Sequence, residues 1–111
     1  HMMYTFNGRL KKLKGDPYSI GGAQHQHVKK FTSQTVAYEE GLRMYFFTDG
    51  YCDQSGGTDN RRFTSRQFET LLTEIQHIAM TDQKEKLEHA FESWKGATKQ
   101  RDDVLVIGVK C

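Results

Sequence analysis

Met44-Tyr45-Phe46-Phe47-Thr48-Asp49-Gly50 is the stretch on which the fold turns. Its first four residues are an apolar-aromatic run of the length and kind that makes a buried strand. The run stops at an acid followed by glycine. A buried strand ending in Asp-Gly sets a carboxylate at the rim of a sheet, and the glycine lets the backbone turn there. Near the C-terminus the order is reversed: Asp102-Asp103 come first and Val104-Leu105-Val106-Ile107 follows. If the two strands are neighbours, acids remote in sequence meet at one edge. Clustered carboxylates repel one another unless a cation lies between them, and an all-oxygen donor set suits Mg²⁺ or Mn²⁺.

Outward from this stretch, alternating Tyr4, Phe6, Leu10 and Leu13 flank Asn7-Gly8, the strongest short hairpin signal. Phe31, Val36 and Tyr38 alternate weakly and predict a strand over 31–38. Cys52 to Asn60 reads as a glycine-rich connection, with no P-loop spacing; leaving directly from Asp49, it is either a plain loop or a flap over a site. Thr64 or Ser65 caps a helix whose stripe is Phe68, Leu71, Leu72, Ile75 and Ile78. A second helix is expected to open at Thr81, with Glu85 near its capping region. It carries Leu87, Ala90, Phe91 and Trp94, and stops at Gly96. A last strand is expected from Asp103 to Lys110. Strands, then a helix pair, then a strand give an α+β layout with helices on a mainly antiparallel sheet.

Bulk properties narrow the function. The 111 residues suffice for one domain or a piece of one, and 36% hydrophobic with 27% charged residues describes a folded, soluble chain. A net charge of +2 gives no footprint for nucleic acid. No segment approaches the ~20 apolar residues of a membrane span, and no signal peptide is evident; a cytoplasmic location is expected, possible also as the cytosolic part of a larger sensor protein. Cys52 and Cys111 are read as free thiols. His25 and His27 could share a strand face and a metal, but a hydrophilic loop is the preferred reading. His1-Met2 reads as a cloning scar, leaving 3–111 as the chain to interpret.

Tyr45-Phe46-Phe47-Thr48-Asp49-Gly50-Tyr51-Cys52-Asp53-Gln54, followed by Gly56-Gly57, resembles the "TDG" segment of bacterial metal-dependent serine/threonine phosphatases of the PPM, or type 2C, family. The nearer branch is the SpoIIE type. Trp94-Lys95-Gly96, Gln100 and Asp102-Asp103-Val104-Leu105-Val106-Ile107-Gly108 are similar to that branch's closing motif. Asn7-Gly8, Lys14-Gly15-Asp16 and Ser19-Ile20-Gly21-Gly22 fit its central hairpin region. The resemblance implies an α-β-β-α sandwich of two antiparallel sheets with helix pairs outside, and two Mn²⁺ or Mg²⁺ ions that activate water against phosphoserine or phosphothreonine. Carried over, Asp49 and Asp102 match metal ligands, and Gly50 and Asp103 are second-shell or backbone positions. No catalytic side chain is implied, because metal-bound water is the nucleophile.

Two departures stand out. Leu105 replaces a usual threonine, and no segment matches the family's early aspartate-glycine that bridges both ions. The chain is therefore expected to be the C-terminal portion of a phosphatase domain, inactive alone, with a phosphorylated signalling protein such as an anti-sigma-factor antagonist as the substrate of the whole. A degenerate half-phosphatase that docks a partner protein is the alternative. Half a sandwich leaves sheet edges and apolar faces open, so self-association or strand swapping is expected.

Overall fold

The computed structural model describes residues 1–16 and 30–111. Among the described residues six strands and three helices follow in order: β1 (Met2–Phe6), β2 (Arg9–Leu13), β3 (Arg43–Phe47), α1 (Gly50–Asp53), β4 (Ser55–Gly56), β5 (Arg61–Arg62), α2 (Ser65–Ile75), α3 (Met80–Lys95) and β6 (Val106–Lys110). The main sheet runs β2-β1-β3-β6 and every pairing is antiparallel. The molecule is 19 Å in its thinnest dimension. That is the depth of one sheet plus one layer of helices.

Asn7 and Gly8 both take positive φ, 49° and 77°, as a two-residue hairpin turn between β1 and β2 requires. His1 and Met2 take part in the sheet. Met2 opens β1, and the His1 backbone exchanges hydrogen bonds with Phe47. β3 is the expected central strand, and its neighbours β1 and β6 come from opposite ends of the chain.

Side chains alternate across this sheet. One face carries Met3, Thr5, Tyr45 and Phe47, all buried under the helices. With Tyr51, Cys52, Phe63, Phe68, Leu72, Ile75, Leu87 and Phe91 they form the core. The other face carries Met2, Tyr4, Phe6, Met44, Phe46, Ile107 and Val109, with Phe46 39%, Ile107 48% and Val109 38% exposed.

The helical periodicity translates directly. α2 is capped by Thr64, whose hydroxyl accepts from the Gln67 amide. Thr64 holds φ at 80°, unusual for a β-branched residue. Its amide, bonded to the Cys52 carbonyl at 2.8 Å, helps fix it there. α3 begins at Met80 rather than Thr81, with no side-chain cap at Ala79, and ends at Gly96. Buried glutamines tie the layers together. The Tyr45 hydroxyl donates to Gln83 Oε1 at 2.8 Å, and Gln83 Nε2 donates to the Ile78 carbonyl. Gln76 Nε2 reaches the Gly8 carbonyl in the hairpin turn.

Three expectations need correction. Residues 31–38 form no strand: Tyr38 is 75% exposed, and among the described residues no strand forms a ladder with the segment. Weak alternation without a partner edge does not make a ladder. The Cys52–Asn60 connection is structured, as the end of α1 and a small β4-β5 hairpin. Its glycines serve close packing: a Cβ on Gly56 would lie 1.8 Å from the Trp94 carbonyl oxygen. The last strand starts at Val106, three residues later than Asp103. Ser19-Ile20-Gly21-Gly22, His25 and His27 lie outside the described residues.

Candidate metal centre

β3 delivers Asp49 to the rim of the sheet. Thr48 leaves β3 with its amide bonded to the Leu105 carbonyl at 3.1 Å, extending the pairing with the last strand. Its hydroxyl then bridges the incoming chain, donating to the Asp103 carbonyl at 3.2 Å and accepting from the Leu105 amide at 3.1 Å. Gly50 follows in contact with the same peptide: a Cβ there would stand 2.1 Å from the Asp103 oxygen and 2.9 Å from its carbonyl carbon. The Asp49-Gly50 turn and the Asp102-Asp103 run are therefore adjacent through backbone contacts at one end of the sheet.

Their side chains are accessible. Asp49 sits at the N-cap of α1 but makes no capping bond. Its carboxylate is mostly exposed and meets the ring of His1, which also stacks on Phe47. Asp102 Oδ1 accepts the Asp103 amide at 2.7 Å, which bends the chain just before Val104. Asp53, one turn beyond Asp49, lies 3.8 Å from Arg62. A cleft of about 230 Å³ opens here, lined in part by Asp49, Asp53, Cys52, Lys12 and Lys14.

Exposed carboxylate and carbonyl oxygens are the right donors for a hard divalent cation, which keeps several waters and needs only one or two carboxylates. The number is short: among the described residues no group of three or more His, Cys, Asp or Glu side chains could hold a metal. The donor set suits such an ion in kind and falls short of one in number.

The profile of the family described as Stage II sporulation protein E (SpoIIE) matches residues 9–111. The chain belongs to the SpoIIE family. Among solved structures, this SpoIIE-family chain is similar to the SiaA-PP2C domain of Pseudomonas aeruginosa, with 25% sequence identity and a TM-score of 0.88. The match takes in 99% of this chain and 42% of that one. A search of curated proteins finds no match. The antiparallel sheet with a helix pair before its last strand is thus the PP2C fold that the sequence motifs implied, and PP2C and PPM phosphatases are generally Mn²⁺- or Mg²⁺-dependent. No helix of the described residues is long and apolar enough to cross a membrane.

The SpoIIE-family chain offers no thiol for covalent chemistry beside these acids. Burial pushes the Cys52 thiol up to about 11; a hydrogen bond with Ser65 opposes this, and the carboxylates of Asp53, Asp49 and Glu69 add to it. The unfolded thiol ionises near its ordinary value of 9.0. Unfolding therefore releases a proton above that pH, and the contribution to stability is whole below about 9 and drains away toward 11. Urea midpoints should be level from pH 7 to 8.5 and fall from pH 9. In Cys52→Ala the fall should begin later, near 10, where the buried Tyr45 and Tyr51 hydroxyls take over. At pH 8, a thiol reagent should modify the partly exposed Cys111 and leave Cys52 untouched until the chain unfolds.

Thr48 and Gly56 are the residues that reading the sequence for ligands overlooked. Thr48 has no donor role in that reading, yet its hydroxyl joins the two acid-bearing segments. Its place directly before Asp49 was the available signal.

Proposed function

We propose that this chain carries the Asp49-Asp102 part of the divalent-metal site of a protein serine/threonine phosphatase. The larger phosphatase acts on phosphoserine or phosphothreonine of a bacterial signalling protein, an anti-sigma-factor antagonist being the expected kind. The observation that carries the reading is the seating of Gly50 on the Asp103 peptide, locked by the Thr48 hydroxyl. It supports a role for Asp49 and Asp102 as joint ligands, with Gly50 and Asp103 holding the backbone that presents them.

When bound, Mn²⁺ or Mg²⁺ would neutralise phosphoryl oxygens and lower the pKa of a bound water. The chain's own part is to aim two carboxylates from one sheet rim and to keep that rim rigid. The exposure of both acids leaves them hydrated, so one copy alone is expected to bind the ion weakly and to show little phosphatase activity.

The test is Mn²⁺ titration of the chain followed by electron paramagnetic resonance. Weak binding is expected, reduced at least about tenfold by either Asp49→Asn or Asp102→Asn, because each loses a charged oxygen donor worth about 1.4 kcal/mol or more. Binding that neither substitution changes would leave the chain as a module that docks a partner protein. Strong Mn²⁺-dependent hydrolysis of a phosphoserine peptide by this chain would overturn the expected inactivity.

A further inference from the structure

Asp102 stands on backbone that has no helix or ladder of its own. α3 ends at Lys95 and β6 begins at Val106, and residues 99–105 belong to neither. A carboxylate on irregular backbone keeps a fixed place only where other groups tie that backbone down. On the C-terminal side of Asp102 the Thr48 hydroxyl does so, at the Asp103 carbonyl and the Leu105 amide. On the N-terminal side the tie is Gln54.

Gln54 is buried, with 1% exposure. Its side-chain Nε2 donates to the Ser55 carbonyl at 3.0 Å and to the Lys99 carbonyl at 3.1 Å. Carbonyl oxygens only accept, so the nitrogen of the amide must face them. Between Lys99 and the acid, Gln100 braces the chain by donating through its own Nε2 to the Asp102 carbonyl at 2.9 Å. The other end of the Gln54 amide is idle: Oε1 is buried and has no hydrogen-bond partner among the described residues. An unpaired buried oxygen costs stability, and an apolar side chain of the same shape would fill the space without it. What the glutamine supplies, and an apolar residue cannot, is the donor to Lys99.

We propose that Gln54 is a positioning residue of the metal centre, whose side-chain amide sets where Asp102 stands relative to Asp49. The proposal rests on the reading of Asp49 and Asp102 as joint ligands. Asp49 is the residue before α1 and Gln54 the residue after it. Both ties on the 99–105 stretch, Thr48 and Gln54, therefore come from the short piece of chain that carries Asp49. The two acids are remote in sequence yet share one base. Thr48 fixes the stretch just beyond Asp102, and Gln54 fixes it just before. With the second tie cut, the stretch is free to swing on the Thr48 bridge and to carry Asp102 away from Asp49.

Gln54→Met tests this, because it keeps the length and burial of the side chain and removes the donor. The backbone carbonyl of residue 54, which accepts the Phe63 amide and the Trp94 indole, is untouched. The variant loses two donated bonds and also the unpaired oxygen, so its urea midpoint should stay close to that of the wild type. Groups that hold a metal ligand in place govern affinity by about 10–100-fold. Mn²⁺ affinity by electron paramagnetic resonance should fall by about tenfold, the lower end of that range. Without metal, nuclear magnetic resonance should show faster exchange of the Asp103 amide, which is bonded to Asp102 Oδ1. In an Asp102→Asn background the same substitution should cost no further Mn²⁺ affinity, because Gln54 acts through Asp102. A glutamine that merely supported the fold would lower affinity equally in both backgrounds. Unchanged Mn²⁺ affinity, unchanged Asp103 exchange, or equal losses in the two backgrounds would each overturn the proposal. Gln54→Asn, which draws the amide back by one carbon, answers the same questions if the methionine variant does not fold. If Asp102→Asn alone leaves Mn²⁺ binding unchanged, it is the joint-ligand reading that fails, and this proposal falls with it even where Asp103 exchange quickens.

Discussion

Gly50→Ala should destabilise the chain by about 2–4 kcal/mol and weaken Mn²⁺ binding as much as removing Asp49 does. The added carbon would sit 2.1 Å from the Asp103 oxygen and 3.2 Å from Val104 Cγ2. The first obstacle is backbone, so no rotamer relieves it. The Asp49-Gly50 turn and the Asp102-Asp103 run must separate, and the Thr48 hydroxyl cannot keep both of its bonds when they do. Displacements near 1 Å at a reacting centre can cost about a hundredfold in rate, and ion coordination is similarly intolerant of displaced donors. Gly15→Ala is the control: a Cβ there meets nothing within 4 Å. Equal urea midpoints for the two variants would show that the contact at Gly50 is slack, and the argument for a preset metal rim would fail with it.

Phe68→Ala is the second large effect. Phe68 has 0% exposure and lies at the centre of the core. Its ring is 4.8 Å from that of Phe47 on β3 and 4.8 Å from that of Tyr51 on α1. Tyr51 in turn packs on Phe63 and Phe91 and donates its hydroxyl to the Leu87 carbonyl. Emptying position 68 thus undercuts the sheet, the turn carrying Asp49, and α3 together. Truncating a buried phenylalanine costs about 3–5 kcal/mol, a large share of the ~5–15 kcal/mol that holds a small domain folded. Thermal unfolding by circular dichroism should show a variant that is largely unfolded or melts many degrees lower. A shift of only a few degrees would mean that the core closes over the gap.

Where the governing interaction is local, the sequence was readable. Asn7-Gly8 makes its turn through its own backbone preferences, and the stripe from Phe68 to Ile78 needs only helical spacing to disclose its buried side. Thr64 and Gly96 mark helix ends for equally local reasons. The run at 44–47 was readable because four large apolar residues leave few other fates. Interactions between remote segments were hidden. Residues 31–38 alternate as a strand would, but nothing in the segment reveals that none of the described strands pairs with it. Gln54, Gln76 and Gln83 look like surface residues in the sequence, yet all three are buried and bonded to distant carbonyls or hydroxyls. The short helix at 50–53 looks like a loop because its fixing contact is the Asp103 peptide. For the candidate site, the acid-bearing motifs were evident; the Thr48 bridge that sets them side by side was not.

Trp94 gives the chain a property of practical use. It is the only tryptophan. Its indole Nε1 donates to the Gln54 carbonyl at 2.9 Å, its ring meets Phe63 edge-on, and its own carbonyl accepts the Gly57 amide. Gln54 directly follows the helical turn that begins at Gly50. All intrinsic indole emission therefore originates a few residues from the acid-bearing rim, and a disturbance there that loosens the Gln54 carbonyl would change the colour of that light, which excitation at the red edge separates from the emission of the five tyrosines.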